Sequence, residues 1–593
     1  MIRDFFFILL PIRKCSPHYS NRTAAHLTKL FFSVVLSMAA DNNFIADQFS
    51  LLSKLMDIHG ENSFKSKYYS IAAFNIEKLP VQLADLDPEK IFTLKGIGDS
   101  LGNKILDIIR QGSFPALTDI VLKTPAGVLE LISIKGIGPK KIHVIWKEME
   151  IESPGELLYA CTENRLARYK GFGEKSQQNI QAAIEFYQQS EGSRLFAKIE
   201  KYALDLDQAL QKTFPDQKFA LTGAFRRHAP TIDKLEWITT ASPEKLQEHF
   251  LKQNYTVQEI LTETASFLTT EKVFLQFYTR TEDLFYASLF TTTGSEDFNR
   301  EWETIAQKDS SAFTSEEAIF KTHGLHFIPP FLREHGKIIK EAALNSFAGL
   351  IQPDTIKGII HSHSDWSDGS QTIEEMVNAC MEQGYEYLVI SDHSKTAAYA
   401  NGLSEEKIKA QHQYVDELND KYAPFKVFKS IESDILSDGS LDYSDKVLST
   451  FDLVIASVHS NLKMQKEKAM SRLLAAISNP YTTILGHMTG RLLLSRPGYP
   501  VDHKIIIDAC SQHHVAIEIN ANPRRLDMDW SWIDYALEKK VWLSINPDAH
   551  HTSEYSNCRY GVLAAQKGGL KKENNLSSLS LKQFEEYLSV KQI

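Results

Sequence analysis

Residues 355–593 alternate short apolar runs with amphipathic stretches, and nearly every run ends in a residue able to bind a metal. The run over 356–360 ends at His361 and His363, with Asp368 in the loop that follows. The next runs end at His393, at Glu432, near His459, at His487, at Asn520, and near Asp548 and His550. Thr372 and Glu375 make a capping-box pattern and Gly384 a stop, so a helix is predicted over 372–383. Regular strand–helix alternation predicts a parallel sheet with crossover helices. In a closed barrel of this kind the carboxyl ends of all strands meet on one face. Side chains at i and i+2 on a strand point the same way, which predicts that His361 and His363 act together. A structural histidine has no reason to recur at that one position, so the run endings read as a shared site.

The N-terminal part follows another rhythm. Apolar residues recur every three or four, as in Ile45, Phe49, Leu52, Leu55 and Met56, and predict helices from 43 to 166. One turn appears three times: Leu94-Lys95-Gly96-Ile97-Gly98, Ile134-Lys135-Gly136-Ile137-Gly138 and Tyr169-Lys170-Gly171-Phe172-Gly173. A further lysine follows each, Lys104, Lys140 and Lys175. Glycines permit positive φ and close approach of a phosphate, and the next helix offers its amino-terminal N–H groups. The apolar residue between the glycines is expected to plug the turn into the core.

The 593 residues, 43% hydrophobic and 24% charged, exceed one core and predict about three or four domains. The net charge of −10 excludes a global basic field, so nucleic-acid binding would rest on local turns and backbone amides. Cys15, Cys161, Cys380, Cys510 and Cys558 form no CxxC pair, which fits a reducing cytoplasm and argues against disulfides or a thiolate metal site. The apolar stretch near residues 5–10 is too short to span a bilayer, so no membrane association is expected. Met38 is the more natural start, and residues 1–37 read as a disordered or mis-called extension.

The three turns resemble the helix-hairpin-helix motif, which grips the DNA backbone. They are followed by Thr222-Gly223-Ala224-Phe225-Arg226-Arg227 and then by Thr292-Thr293-Gly294-Ser295-Glu296-Asp297-Phe298. That order resembles the bacterial family X DNA polymerases carrying a C-terminal PHP (polymerase and histidinol phosphatase) domain. The resemblance implies a multi-domain fold: an all-α helix-hairpin-helix region, an α+β polymerase-like nucleotidyltransferase middle and a distorted α/β (β/α)7 PHP barrel. The expected organisation is an extension over 1–37, a helical DNA-binding domain with the first hairpin over 38–120, hairpin repeats over 121–192, a degenerate palm- and thumb-like region over 193–335, a linker over 336–354 and the phosphoesterase domain over 355–593.

The resemblance also implies roles. His361, His363, Asp368, His393, Glu432, His459, His487, Asp548 and His550 match the PHP ligands, which hold three divalent ions, with Glu432 bridging two. Nitrogen-rich donors suit Zn, Mn or Fe. Arg491 and Arg524 are expected to contact phosphate, and Lys104 matches the lysine of the family's sugar-phosphate lyases. The polymerase positions depart from the family: matched from Thr231, the paired aspartates become Lys234 and Glu236, the third carboxylate becomes Phe274, and the phosphate-contacting serine becomes Ala224. Lysine and phenylalanine cannot ligate Mg²⁺. The expected function is therefore a monomeric, metal-dependent 3′–5′ exonuclease or 3′-end processing enzyme of DNA repair. It would act on gapped, nicked or 3′-ended DNA, with an impaired polymerase-like domain as grip. The alternatives are an active gap-filling polymerase with an associated nuclease, and a small-molecule phosphatase of the histidinol-phosphatase kind.

Overall fold

The computed structural model describes residues 40–591 except 163–165, 168, 190–191, 307–312, 398–399, 463 and 495–496, so the extension read over 1–37 lies outside the described residues. Two compact units divide at residues 191 and 192.

Among its described residues the first unit holds helices and turns and no strand. Helix Asn42–His59 starts at Asp41, whose carboxylate accepts from the Phe44 N–H at 2.7 Å, and stops at Gly60 with φ 74°. Its buried face, Ile45, Phe49, Leu52, Leu55 and Met56, packs with Tyr69, Ile105 and Phe114. A second apolar cluster joins Val128, Ile142, Ile145, Leu157 and Ile184.

The second unit begins with an α+β region. A two-stranded antiparallel pair joins β1 (Arg194–Leu195) and β3 (Thr231–Ile232). A five-stranded sheet holds β2 (Phe219–Thr222), β4 (Leu235–Thr239), β5 (Thr256–Ile260), β6 (Thr264–Leu268) and β7 (Phe274–Thr279) in the order β2-β4-β7-β6-β5. Only β4 and β7 run parallel. One face is filled by Trp237 stacked on Phe277 at 5.2 Å, with Phe250 and Phe267 beside them. The segment read as a linker over 336–354 is partly core. Helix Lys337–Ala342 buries Ile338, Ile339 and Ala342 against Phe290, Trp302 and Phe320, because its apolar residues share one face.

The rest is a parallel seven-stranded sheet of β8 (Gly358–Ser362), β9 (Tyr387–Ile390), β10 (Lys426–Asp434), β11 (Leu453–Ser457), β12 (Thr482–Leu485), β13 (Ala516–Asn520) and β14 (Leu543–Asn546), in sequential order. It nearly closes into a barrel: Ser362 bridges Ala549 in parallel, and the His363 N–H donates to the Ala549 carbonyl at 2.8 Å. Ile360, Val389, Phe428, Ile455, Ile484 and Ala516 form one cluster with Phe584 of the terminal helix Leu581–Lys591. There Phe584 stacks on Tyr387 at 4.8 Å. A larger cluster lies between the strands and their crossover helices. The expected capping box is present: the Thr372 side chain accepts from the Glu375 N–H and Glu375 reaches back to the Thr372 N–H.

Candidate metal centre

The convergence expected of a barrel is met at the carboxyl ends of these strands. Glu432, on β10, is 1% exposed and carries the centre. Four imidazole nitrogens surround its carboxylate: His393 Nδ1 and His487 Nε2 at 3.0 Å, His361 Nε2 and His459 Nε2 at 3.2 Å. His363 Nε2 lies 3.2 Å from Asp548 Oδ1, and His361 Nε2 lies 3.4 Å from the same oxygen. On the other side His363 stacks on His550 at 4.2 Å and meets His393 at 4.3 Å. Asp368 closes that side, 3.4 Å from His550 Nε2 and 3.7 Å from His393 Nε2.

The pair His361/His363 converges by a different route from the one the alternation rule gave. The β8/β9 ladder shifts register between Ile359 and Ser362, and His361 sits at φ 65°. Asp548 also sits at positive φ, 51°. Left-handed backbone at two non-glycine residues of one site costs about 1–3 kcal/mol each and persists only where the surroundings enforce it.

The donor set fits divalent cations. The atoms able to ligate a metal fall into three groups, each gathered within 4.8 Å: His363, Asp368, His393 and His550; His361, His363 and Asp548; His393, Glu432 and His459. His361 Nε2, His363 Nδ1 and Glu432 Oε2 are buried without a hydrogen-bond partner, which a cation resolves and apolar packing does not. Burial alone would raise Glu432, but His459, His361 and His393 hold it well below the usual carboxylate range. Asp548 is likewise held low, against burial, by His361 and His363. Burial, with His550 and His393 beside it, pushes His363 down to about 3. Three other rings go the opposite way: against burial, Glu518, Asp548 and Glu432 push His361 up, Glu432 and Asp434 push His459 up to about 10, and Asp368 and Asp548 push His550 up to about 9. A cation bound there displaces protons, since ionised carboxylate and neutral imidazole are the ligating forms.

Comparison with known proteins agrees with this arrangement. Residues 40–114 match the helix-hairpin-helix domain, residues 128–185 the SAM-like helix-hairpin-helix tandem and residues 360–522 the PHP domain. The DNA polymerase/3′-5′ exonuclease PolX of Bacillus subtilis is 34% identical over 559 residues, which cover 90% of this chain and 96% of that protein. The chain belongs to the PolX family. Shorter similarities run to a probable phosphatase of Caldanaerobacter subterraneus, 27% identical over 169 residues (27% of this chain, 60% of that one), and to one of Thermoanaerobacter sp., 24% identical over 245 residues (39% and 94%). Among the described residues no helix is long and apolar enough to cross a membrane.

In this PolX-family chain the polymerase-like positions form a different cluster. Glu236 pairs with Gln276 across the parallel β4/β7 ladder, and Lys234 and Phe274 lie two residues before them. Lys234 Nζ meets Glu236 Oε1 at 2.8 Å, and the Tyr278 hydroxyl donates to the same oxygen at 2.8 Å. A Cβ on Gly223, beside Ala224, would lie 1.9 Å from Glu236 Oε2, so any side chain there would displace that carboxylate. Both arginines of the turn are engaged: Arg226 by Glu316 and Thr293, Arg227 by Glu334 at 3.0 Å and by the Thr293 carbonyl at 2.9 Å.

The three Gly-x-Gly turns share one geometry. The first glycine of each has positive φ, Gly96 87°, Gly136 95° and Gly171 92°. Gly98 and Gly138 do not; they are extended N-caps of helices Asp99–Gln111 and Pro139–Lys147. Gly173 stands directly before helix Glu174–Gln189. Ile97, Ile137 and Phe172 each donate an N–H three residues back, at 3.0, 3.3 and 3.0 Å, and the two isoleucines are buried. Phe172 is only half-buried, so the third plug is partial. Lys95, Lys135 and Lys170 are exposed beside the turns. Lys104 donates to the Ser100 carbonyl at 2.9 Å and hydroxyl at 2.8 Å; partial burial and nearby Lys65 lower its pKa.

The arginines of the barrel mouth differ from the sequence expectation. Arg491 is held by Asp529 at 2.6 Å and by the carbonyls of Arg525 and Leu526, and Arg524 is exposed. It is the half-buried Arg525 that reaches the centre, its Nε 3.7 Å from Asp548 Oδ2. Glu518 and Asp434 also stand behind the centre, and neither is among the residues expected from the sequence. A carboxylate inside the apolar strand over 516–520, and one two residues after Glu432, were the available signals.

Proposed function

We propose that this chain is a metal-dependent phosphodiesterase that trims or cleans DNA 3′ ends in repair, with a polymerase-like region that no longer transfers nucleotides. The observation that carries the first half is Glu432 ringed by four imidazole nitrogens within 3.2 Å, a donor set for Zn, Mn or Fe rather than for folding. His361, His363, Asp368, His393, Glu432, His459, His487, Asp548 and His550 would hold up to three such ions. Bound there, such ions would supply Lewis acidity and would lower the pKa of water enough to make it a nucleophile toward phosphorus at neutral pH. The chain's own residues do the rest. Buried carboxylates fix the imidazoles, and the Arg525 guanidinium offers a charge-assisted donor to a phosphodiester at the mouth. Arg491 braces the loop that carries Arg525. The Gly-x-Gly turns present backbone amides and Lys95, Lys135 and Lys170 to the DNA backbone, a grip indifferent to sequence.

The second half is supported by the Lys234–Glu236–Tyr278 cluster. An ammonium stands where a first carboxylate would be, and Phe274 brings no donor atom. The chain is read as a monomer of the cytoplasm. The competing reading, a phosphatase of small monoesters, draws on the short similarities to probable phosphatases. The helix-hairpin-helix matches favour DNA. The test is Mn²⁺-dependent digestion of a 5′-labelled gapped duplex, with His361→Ala as control, beside primer extension with dNTPs and hydrolysis of a phosphate monoester. Shortening of the labelled strand without extension is expected. Extension, or turnover of the monoester alone, would overturn the proposal.

A further inference from the structure

Two of the histidines that face Glu432 are held from behind in the same way. His361 Nδ1 lies 2.6 Å from Glu518 Oε1 while its Nε2 lies 3.2 Å from Glu432. His459 Nδ1 lies 2.6 Å from Asp434 Oδ1 while its Nε2 also lies 3.2 Å from Glu432. A carboxylate oxygen only accepts, so each Nδ1 donates its N–H, and in the neutral ring Nε2 is then a bare lone pair aimed into the centre. Glu518 does more. It is 0% exposed, its Oε1 also accepts from Asn546 Nδ2 at 2.9 Å, and its Oε2 accepts from the His487 N–H at 2.7 Å and from Asn520 Nδ2 at 3.3 Å. One side chain on β13 thus fixes the ring from the end of β8, the backbone of the histidine after β12 and the amide of Asn546 on β14. Asp434 has fewer duties: its Oδ2 accepts from the Thr396 hydroxyl at 2.7 Å.

We infer that Glu518 and Asp434 are positioning residues of the metal centre, fixing the tautomer and aim of His361 and His459, with Glu518 the keystone of the two. The inference rests on the metal reading above. It ranks two conservative substitutions. All four of these contacts ask the Glu518 oxygens to accept, so the amide group of Glu518→Gln opposes one pair of donors. Asp434→Asn can turn its oxygen to His459 and its amide to the Thr396 oxygen, and keeps the geometry.

The experiment is a Co²⁺ titration of the metal-stripped full-length chain, read by the visible absorption of the bound ion, with melting of the stripped proteins alongside. Carboxylates that orient ligating histidines typically contribute about 10–100-fold in metal affinity. Glu518→Gln is expected at the upper end, with an altered absorption band, Asp434→Asn within a few-fold of wild type, and Asp434→Ala about tenfold weaker. Should Glu518→Gln not fold, the contrast between Asp434→Asn and Asp434→Ala carries the test. Co²⁺ affinity of Glu518→Gln within twofold of wild type, or equal losses for the two Asp434 variants, would overturn the inference. A wild-type chain that takes up no Co²⁺ would overturn the metal reading itself, and this inference with it.

Discussion

Glu316 offers a quantitative test of how the polymerase-like region now uses its arginines. Its carboxylate, 5% exposed, holds Arg333 Nη1 at 2.5 Å and also Arg226, one of the Arg pair after Gly223. Arg333 is 0% exposed and lies 5.1–5.5 Å from the rings of Phe290, Phe320 and Phe327. Burial lowers its pKa to about 10, so it remains a cation at neutral pH. Glu316→Gln therefore leaves a buried guanidinium without a counter-ion. A charge pair near 4 Å at an effective dielectric of about 20 is worth about 4 kcal/mol, and breaking buried pairs from one side costs about 3–5 kcal/mol. For a domain of this size each kcal/mol moves the melting temperature by about 2–4 °C, so a fall of about 6–20 °C is expected. Thermal unfolding followed by tryptophan fluorescence suits the measurement, since Trp302 lies in this cluster. The double change Glu316→Leu with Arg333→Met should recover most of the loss, because a buried pair replaced whole by apolar groups is close to neutral. A loss under about 1 kcal/mol in the single variant, or no recovery in the double one, would refute the argument.

Further outcomes follow from the same geometry. Lys234→Asp alone should give no dNTP incorporation, since Phe274 still brings no oxygen and Ala224 no hydroxyl; extension by that variant would show the site needs fewer ligands than argued. Lys567 is buried between Glu334 and the Arg227 carbonyl, and burial pulls its pKa down to about 8. Between pH 8 and the ordinary lysine value near 10.4 the unfolded chain binds more protons, so stability rises with pH there. The wild type should gain relative to Lys567→Met over that window, in paired denaturant titrations; a flat or falling difference contradicts the assignment. Changing Lys95, Lys135 and Lys170 together to alanine should weaken gapped-duplex binding and flatten its dependence on log salt by about 0.9 per lost phosphate contact. An unchanged slope would remove these lysines from the interface.

The order of the regions could be read from sequence because each carries its own period: three or four in the helices, short runs spaced by helices in the barrel. Candidate donors stood out for the same reason. His393, His459 and His487 interrupt apolar text at equivalent points, and a parallel barrel leaves such points one place to go. What lay behind them did not stand out. Glu518 sits within a strand whose neighbours are isoleucines, which marks the position, but its partners come from three other strands, so nothing local tells what it holds. Arg525 and Arg524 are equal in sequence; the loop braced by Arg491 decides which one faces inward. The backbone of His361 was equally hidden, since a register shift and a positive φ are set by tertiary packing and not by residue type.

The closure of the barrel has a consequence of its own. His361 and His363 leave the first strand, Asp548 and His550 follow the last, and the two meet where the sheet joins itself through Ser362 and Ala549. A cation shared by His361, His363 and Asp548 would act as a clasp across that seam, tying chain segments far apart in sequence. Chemistry and architecture are then sealed by the same bond, and the first amides to exchange on chelation should be those of residues 363 and 549.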